Sequence, residues 1–169
     1  MKYKTIVIDP PYPINKIQRK VRPNQKNMDY KSMSIEEIKK FPIDNFADPN
    51  SWLFLWTINK YLQTSFEIMK KWNYKFQRLL TWDKKNGMCL FGFHHRTEFV
   101  LVGYRGKIDI YPKQKAIPTI FQERSKNHSR KPDIFFELLQ TMPTPRISIF
   151  ERYERKGFDA YGDQLRKIN

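Results

Sequence analysis

Apolar residues in this chain cluster in short continuous runs, which is the pattern of strands that are covered on both faces of a sheet. The first run, at 5–8, is β-branched, and a short final strand is expected at 158–161. Between them lie runs at 51–57, 76–82, 98–104 and 146–150. The hydrophobic pattern therefore predicts a series of strands along the whole chain.

Helical patterns lie between these runs. Ser34 begins a Ser-x-x-Glu capping box, the signature of a helix start, and this helix is expected to end before Pro42. Apolar residues then recur at helical spacing in 62–72, and again in 134–142 after Pro132, which suits the first turn of a helix. Strands that alternate with helices predict an α/β fold with a mostly parallel sheet.

Two basic segments, 13–33 and 84–130, are read as loops, although the strand at 98–104 interrupts the second. No repeat or Ser/Gly-rich linker divides the chain, so residues 1–169 are expected to form a single domain. Ligands of such sheets bind beyond the carboxyl ends of the strands, where both segments are expected to lie. We therefore expect these loops to contact substrate or nucleic acid.

The first strand ends at Asp9-Pro10-Pro11-Tyr12. The prolines have no backbone N–H and a fixed φ, so their carbonyls point in set directions. A carboxylate, a rigid carbonyl and an aromatic ring at a sheet edge suit a planar base that carries an amino group. The same residues also suit a plain proline turn, and a motif of this length does not decide between the two.

The chain is strongly basic, with 32 Lys and Arg residues against 17 Asp and Glu, for a formal net charge of +15. Such a domain has a polyanion as its expected partner, and nucleic acid is the commonest one. An acidic membrane surface is the rival partner. The chain has no apolar stretch near the roughly 20 residues that a spanning helix needs, so no membrane segment is expected.

Cys89 is the single cysteine, which excludes disulfides and a thiolate zinc cage within one chain. His94, His95 and His128 lack a metal-ligand spacing, so no metal is expected. The first residues lead directly into a strand without the pattern of a signal peptide. The expected location is the cytoplasm, and the Lys-, Asn- and Ile-rich composition points to a prokaryotic or phage-infected cell.

A series of motifs, in order along nearly the whole chain, resembles the MT-A70 family of S-adenosylmethionine-dependent adenine N6-methyltransferases. Asp9-Pro10-Pro11-Tyr12 is similar to the D-P-P-Y or D-P-P-W motif of that family. The other motifs are Y-x-x-M-S-x-x-E at 30–37, L-F-L-W at 53–56, E-x-x-L-V-G at 98–103, H-S-x-K-P-D at 128–133, R-I-x-I-F-x-R at 146–152 and a variant of G-N-Q at 162–164. The resemblance implies a Rossmann-like class I methyltransferase fold with a permuted motif order.

The resemblance implies that the D-P-P-Y motif, with Pro11 at its centre, is catalytic. The N6 nitrogen of adenine is a poor nucleophile, because its lone pair is delocalised into the ring. If its two N–H groups donate to the Asp9 carboxylate and the Pro10 carbonyl, the lone pair can face the methyl donor. Tyr12 would stack on the base. Tyr30 would be a second aromatic residue of the base pocket, or else an ordinary loop residue.

The resemblance also implies S-adenosylmethionine as the cofactor, with S-adenosylhomocysteine as the product. Lys131 would hold the methionine carboxylate. The full set of expected cofactor-binding residues is Asp9, Lys131, Phe150, Arg152, Asp163 and Gln164. Asp163 replaces the Asn of most family members, and the chain lacks the upstream acidic residue with which larger relatives hold the adenine ring.

Further residues are expected to face the substrate. Lys16, Arg19 and Lys20 follow the catalytic turn and would contact phosphates, although a solvated loop is the alternative. His95 would contact phosphate or solvent, and Glu98 would form either an orienting salt bridge or part of the catalytic site. The charge run from Arg152 to Lys156 could equally be a solvated face.

The preferred hypothesis is methyl transfer to the N6 amino group of adenine in DNA. DNA is favoured over RNA because the D-P-P-Y form resembles DNA amino-methyltransferases, and because the chain lacks the zinc-finger and extra domains of RNA-modifying relatives. The alternatives are adenine N6 methylation of RNA and a non-catalytic nucleic-acid-binding subunit. A homodimer or a partner methyltransferase subunit is compatible with the sequence.

Overall fold

The apolar runs of the sequence form the strands of one sheet. The computed structural model describes residues 1–13, 32–108, 116–125 and 130–162. The strands are β1 Tyr3–Ile8, β2 Ala47–Thr57, β3 Lys75–Asp83, β4 Cys89–Leu90, β5 Phe93–His94, β6 Thr97–Arg105, β7 Ile120–Gln122, β8 Arg146–Ile149 and β9 Asp159–Tyr161. The helices are α1 Ile35–Lys39, α2 Leu62–Lys71 and α3 Asp133–Leu138, with 3₁₀ turns at Ile43–Asn45, Asn59–Tyr61 and Leu139–Thr141.

In the described part of the chain, seven strands form the main sheet in the order β7-β3-β6-β2-β1-β8-β9. Strand β6 runs antiparallel to both of its neighbours, and the other pairs in this sheet are parallel. Strand β1 lies in the interior, between β2 and β8. This mostly parallel sheet with helices is the predicted Rossmann-like α/β architecture, which is therefore confirmed.

Side chains alternate between two cores, one on each face of the sheet. Ile6 and Ile8 of β1 face the core that contains Ile68 and Met69 of α2. Val7 faces the opposite core, together with residues of α3. The second core is rich in aromatic residues, and its buried members include Trp52, Phe54, Trp56, Trp82, Phe121, Phe135 and Phe136. Helices thus cover both faces of the sheet and leave its strand ends for a site.

The start of α1 follows the sequence closely. The Ser34 hydroxyl accepts a hydrogen bond from the Glu37 amide at 3.2 Å, and the Glu37 carboxylate accepts one from the Ser34 amide at 2.7 Å. This is the predicted capping box. The helix buries Ile38 against the core of α2. The local sequence pattern was sufficient to predict this helix start, because Ser34 and Glu37 lie within one turn of each other.

Several local expectations were wrong. The segment 84–130 is not all loop outside β6, because it contains the β4–β5 hairpin and β7, which pairs with β3. These strands are two or three residues long, too short to show a period of their own. Pro132 is the N-cap of α3 rather than part of its first turn. Phe66, one of the apolar residues that recur at helical spacing in 62–72, is exposed, and its ring centre lies 4.9 Å from that of Phe76.

Candidate functional site

Asp9 follows β1 directly, at the carboxyl end of a strand in the middle of the sheet. Its amide donates to the carbonyl of Ile149, the last residue of β8, at 3.2 Å. About a quarter of its side chain is exposed, 26% by area. The first predicted site residue therefore lies at the edge where ligands of parallel α/β sheets bind.

The Asp9 carboxylate belongs to a cluster of four charged side chains. Lys131 Nζ lies 3.0 Å from Asp9 Oδ2 and 3.1 Å from Glu98 Oε2. The other oxygen of Glu98 lies 3.4 Å from Lys84 Nζ. We call Lys84, Glu98, Lys131 and Asp9 the charge cluster. It joins residues that are far apart in sequence, because β1, β3 and β6 end or begin at the same sheet edge.

The surroundings of the cluster fix the charge of its members. Burial raises the pKa of Asp9 to about 6, because the opposing attraction of Lys131 offsets only part of it and Glu98 adds repulsion. Burial acts against the charged forms of Lys131 and Glu98 as well. Their ion pairs outweigh it, so the pKa of Lys131 is raised and that of Glu98 is lowered. The cluster thus combines two basic and two acidic side chains.

The charge cluster packs against the aromatic core. Lys131 Nζ lies 5.0 Å from the centre of the Trp56 ring, within the range of a cation–π contact. Trp56 is fully buried and meets Trp82 edge to face, with 6.0 Å between ring centres. A packed wall of indoles leaves little room for water beside the ammonium group, which strengthens its ion pairs.

The D-P-P-Y turn is held by its own backbone. The Tyr12 amide donates to the Pro10 carbonyl at 2.8 Å, and the Met33 amide donates to the Pro11 carbonyl at 2.9 Å. The Pro10 carbonyl thus already accepts one hydrogen bond. It keeps capacity for a second, because a carbonyl oxygen has two lone pairs.

Tyr12 is buried, with 6% of its surface exposed. Its ring stacks on Tyr61 with 4.9 Å between ring centres, and its hydroxyl lies 2.9 Å from Ser65 Oγ. In this structure Tyr12 therefore anchors the turn to the start of α2. Its stacking on a nucleobase stays a prediction.

The end of β8 brings the predicted cofactor residue Phe150 next to Asp9. Phe150 has φ +63°, a left-handed conformation that is strained for a residue with a side chain. Its amide donates to the Tyr161 carbonyl of β9 at 2.7 Å, and its ring packs on Phe41. A Cβ on Gly162 would lie 3.1 Å from the Glu151 carbonyl, so glycine permits this close approach. The backbone thus turns sharply at Phe150, at the edge of the sheet that carries Asp9.

Arg155 is a site residue that the sequence reasoning missed. It is buried, and its guanidinium donates to the Lys131 carbonyl at 2.9 Å. It also pairs with Asp133 at 2.5 Å and lies 3.5 Å from Glu151. The solvated-face interpretation is therefore wrong for Arg155, which positions the backbone of Lys131.

Other predicted residues are placed differently. Arg152 is partly buried, and its amide donates to its neighbour Glu151 at 3.0 Å. His95 is exposed beside the β4–β5 hairpin, where its amide donates to the Met88 carbonyl. Six further predicted residues lie outside the described residues: Lys16, Arg19, Lys20, Tyr30, Asp163 and Gln164.

Metal-binding clusters and membrane-spanning helices are both absent from the described ranges. Within them no group of three or more His, Cys, Asp or Glu side chains is arranged to hold a metal ion. None of the helices in those ranges is long and apolar enough to cross a membrane.

The sheet topology, with charged side chains beyond the carboxyl ends of central strands, defines a Rossmann-like α/β protein. The sequence model of the MT-A70 family matches residues 3–164, and the chain belongs to this family of methyltransferases. The resemblance noted in the sequence is thereby confirmed.

Named relatives support this assignment. The chain is 23% identical over 182 residues to the type II methyltransferase M.MunI of a Mycoplasma species. It is 22% identical to a putative N(6)-adenosine-methyltransferase MT-A70-like protein of Medicago truncatula, and 23% identical to an N(6)-adenosine-methyltransferase MT-A70-like protein of Arabidopsis thaliana. These alignments cover 97%, 97% and 98% of the chain, but 78% of the bacterial relative and only 26% and 24% of the plant relatives.

Proposed function

We propose that this protein transfers a methyl group from S-adenosylmethionine to the N6 amino group of adenine in DNA. The observation that carries the proposal is the Asp9 carboxylate, held at the sheet edge by Lys131 at 3.0 Å. A carboxylate in this position can accept a hydrogen bond from an amino group while an ammonium group keeps it ionised. This is the chemistry that an exocyclic amine requires.

The residues of the D-P-P-Y turn would orient the amine. Asp9 is ionised above a pH of about 6, the value to which burial raises its pKa, and accepts one amino hydrogen. The Pro10 carbonyl accepts the second hydrogen with its remaining lone pair. The amine nitrogen then turns its own lone pair away from both acceptors. Orientation and a negative charge beside the developing positive amine supply the catalysis.

The described residues suit S-adenosylmethionine, which would supply a methyl group bound to a positively charged sulfur. Lys131 offers an ammonium group to the carboxylate of that molecule. Phe150, with its inflected backbone next to Asp9, offers close approach at the same edge. Arg152, Asp163 and Gln164 are proposed to hold the remainder of the cofactor, as the family resemblance implies.

DNA is preferred to RNA on two grounds. The chain has Tyr12, and the D-P-P-Y form is similar to that of DNA amino-methyltransferases. A relative named as a type II methyltransferase is also 23% identical over 97% of this chain.

We further propose that residues 1–169 form one domain in the cytoplasm. The first and the last described strands, β1 and β9, belong to the same sheet. The two ends of the described chain therefore share one folded unit.

Transfer of a labelled methyl group to matched DNA and RNA oligonucleotides tests the proposal. Asp9→Asn should lower the rate by about 100-fold or more, because the neutral amide cannot stabilise positive charge on the amine. Asp48→Asn is the matched control, since Asp48 lies near the start of β2, at the opposite end of the strands, and should leave the rate unchanged.

Each result has one meaning. Transfer to DNA, lost in Asp9→Asn alone, supports the proposal. Transfer confined to RNA contradicts the choice of DNA, and binding without transfer to either nucleic acid identifies a non-catalytic subunit. A fully active Asp9→Asn variant would contradict the role of Asp9.

A further inference from the structure

An apolar hairpin rises from the sheet edge that carries Asp9. Strands β4 and β5 pair through Cys89 with His94 and through Leu90 with Phe93, so the turn consists of Phe91 and Gly92. Phe91 is 92% exposed and Phe93 is 77% exposed. Large apolar side chains at such exposure are a costly feature for a free surface and indicate a binding role.

The turn itself departs from local preference. Phe91 has φ +52° and Gly92 has φ +81°, the left-handed pair of a two-residue hairpin turn. Asn, Asp or Gly is preferred at the first position, and an aromatic residue there is conformationally strained. Despite this strain, a phenyl ring occupies the tip of the hairpin. Such violations of local preference are typical of functional positions.

The base of the hairpin is firmly attached. The Lys84 amide donates to the Arg96 carbonyl at 3.0 Å, and the Arg96 guanidinium donates to both carboxylate oxygens of Asp83, at 2.5 and 2.7 Å. A Cβ on Gly87 would lie only 2.6 Å from the His95 carbonyl, so the two arms touch. A tip on such a base is presented in a defined direction.

The hairpin stands beside the charge cluster. Its arms begin at Lys84 and end just before Glu98, and both of these residues belong to the cluster. The thirteen residues 84–96 include two lysines, one arginine and two histidines but no acidic residue. Lys84 and Arg96 are ion-paired with Glu98 and Asp83, which flank the segment, while Lys85 adds a further cation. The segment that carries the exposed rings thus has basic and no acidic side chains, which suits a nucleic acid backbone.

We propose that Phe91 and Phe93 stack on nucleobases next to the adenine that enters the site. This inference rests on the proposed function and adds a contact by which the protein would hold its nucleic acid substrate. A base must leave its stack to reach an enzyme's site, and an inserted apolar side chain can occupy the gap. Phenyl rings stack on any base, so this contact would add affinity without reading sequence.

A protein partner fits this surface less well. Two phenyl rings bury at most about 500 Å². A stable protein interface takes about 800 Å² from each partner. Narrow aromatic tips flanked by basic residues match the stacking platforms of single-stranded nucleic acid binders instead.

The test measures binding of a labelled, adenine-containing oligonucleotide by fluorescence anisotropy at several salt concentrations. Phe91→Ala and Phe93→Ala should each weaken binding by about 5- to 150-fold, the loss of one stacked base. The slope of log affinity against log salt should stay unchanged, because no cationic side chain is removed. Phe91→Trp should restore the affinity, whereas Phe91→Leu should not.

Phe76→Ala is the matched control, since Phe76 is an exposed phenylalanine near the start of β3, at the opposite end of that strand from the hairpin. Its affinity should equal that of the unmodified protein. A second reporter is 2-aminopurine beside the target adenine, whose fluorescence should be quenched by the unmodified protein and less by Phe91→Ala.

Three outcomes would overturn the inference. The first is unchanged affinity of both hairpin variants, and the second is an equal loss for Phe76→Ala. The third is a dimer that Phe91→Ala dissociates, because the rings would then cover a second copy of the chain. Methyl transfer by the unmodified protein is measured in parallel. Transfer without any effect of the hairpin variants refutes this inference alone, whereas absence of both binding and transfer refutes the proposed function with it.

Discussion

We expect two substitutions in the charge cluster, Lys131→Met and Glu98→Gln, to shift the acidic limb of the pH–rate profile in opposite directions. Asp9 must be ionised to accept the amino hydrogen, so the rate should fall as the pH drops below its pKa of about 6. Lys131 lowers this pKa and Glu98 raises it. Lys131→Met should therefore move the limb to higher pH, and Glu98→Gln should move it to lower pH.

The size of each shift follows from the distances. Lys131 Nζ lies 3.0 Å from Asp9 Oδ2. An opposite charge this close changes the pKa of a carboxyl group by about 1–3 units. Glu98 bonds the same ammonium group from the other side, at 3.1 Å. Glu98 repels the Asp9 carboxylate, but its charge is partly neutralised by Lys131. Glu98→Gln should therefore lower the pKa of Asp9 by a smaller amount, about 1 unit.

The assay is kcat against pH at saturating cofactor, between pH 5 and 9. With a limb near pH 8, only about one tenth of Asp9 would be ionised at pH 7 in Lys131→Met, and the rate there would fall about tenfold for this reason alone. The position of the limb is the readout, because weaker cofactor binding changes KM and leaves that position in place. Lys39→Met is the control, since Lys39 forms a 3.0 Å ion pair with Glu67 away from the site.

A readout independent of catalysis comes from carbon-13 NMR. The carboxyl resonance of Asp9, assigned by its loss in Asp9→Asn, should titrate near pH 6 and shift in the same two directions. If the limb and the resonance stayed in place in both variants, or moved the same way in both, the charge cluster would not control Asp9.

Three stability predictions concern a helix cap, a close backbone contact and a buried ion pair, each measured by urea denaturation. Ser34→Ala should lower the free energy of unfolding by about 1 kcal/mol, because it removes the capping hydrogen bond of α1, and Ser34→Asp should restore it. Gly103→Ala should cost about 1–3 kcal/mol, since its Cβ would lie 2.9 Å from Met69 Sδ; an unchanged midpoint would show that Met69 moves aside. Arg155→Gln should cost about 3–5 kcal/mol, because the buried carboxylate of Glu151 loses its cation, and equal stability would mean that water reaches Glu151.

The sheet was predictable because its strands are continuous apolar runs. β2 is buried without a break from Ser51 to Thr57, and such a run leaves few alternatives to an interior strand. β7 was missed because three residues cannot display a period, and its place depends on a pairing with β3 that lies about forty residues away. The local sequence determines the conformational preference of a segment, whereas the position of a short strand depends on the strand with which it pairs.

The site was predictable as a set of residues but not as an arrangement. Motif resemblance named Asp9, Glu98 and Lys131 individually and did not pair them with one another. Their ion pairs join positions 33 and 122 residues apart, which no local pattern encodes. Lys84 and Arg155 could not be found at all, because a lysine or arginine in a basic chain looks the same whether it is solvated or buried in an ion pair.

The balance of charge in the cluster explains how one edge can receive two charged or polar ligands. A lone buried carboxylate would be protonated, and a lone buried ammonium would lose its proton, because burial opposes each charge. Paired through Lys131, both stay ionised with their hydrogen-bonding groups in place. An amino group can then donate to Asp9, and a ligand carboxylate can accept from the third N–H of Lys131, while both ion pairs of Lys131 are kept. The ion pair thus keeps Asp9 and Lys131 charged for their proposed ligands, and Glu98 holds Lys131 from a second carboxylate.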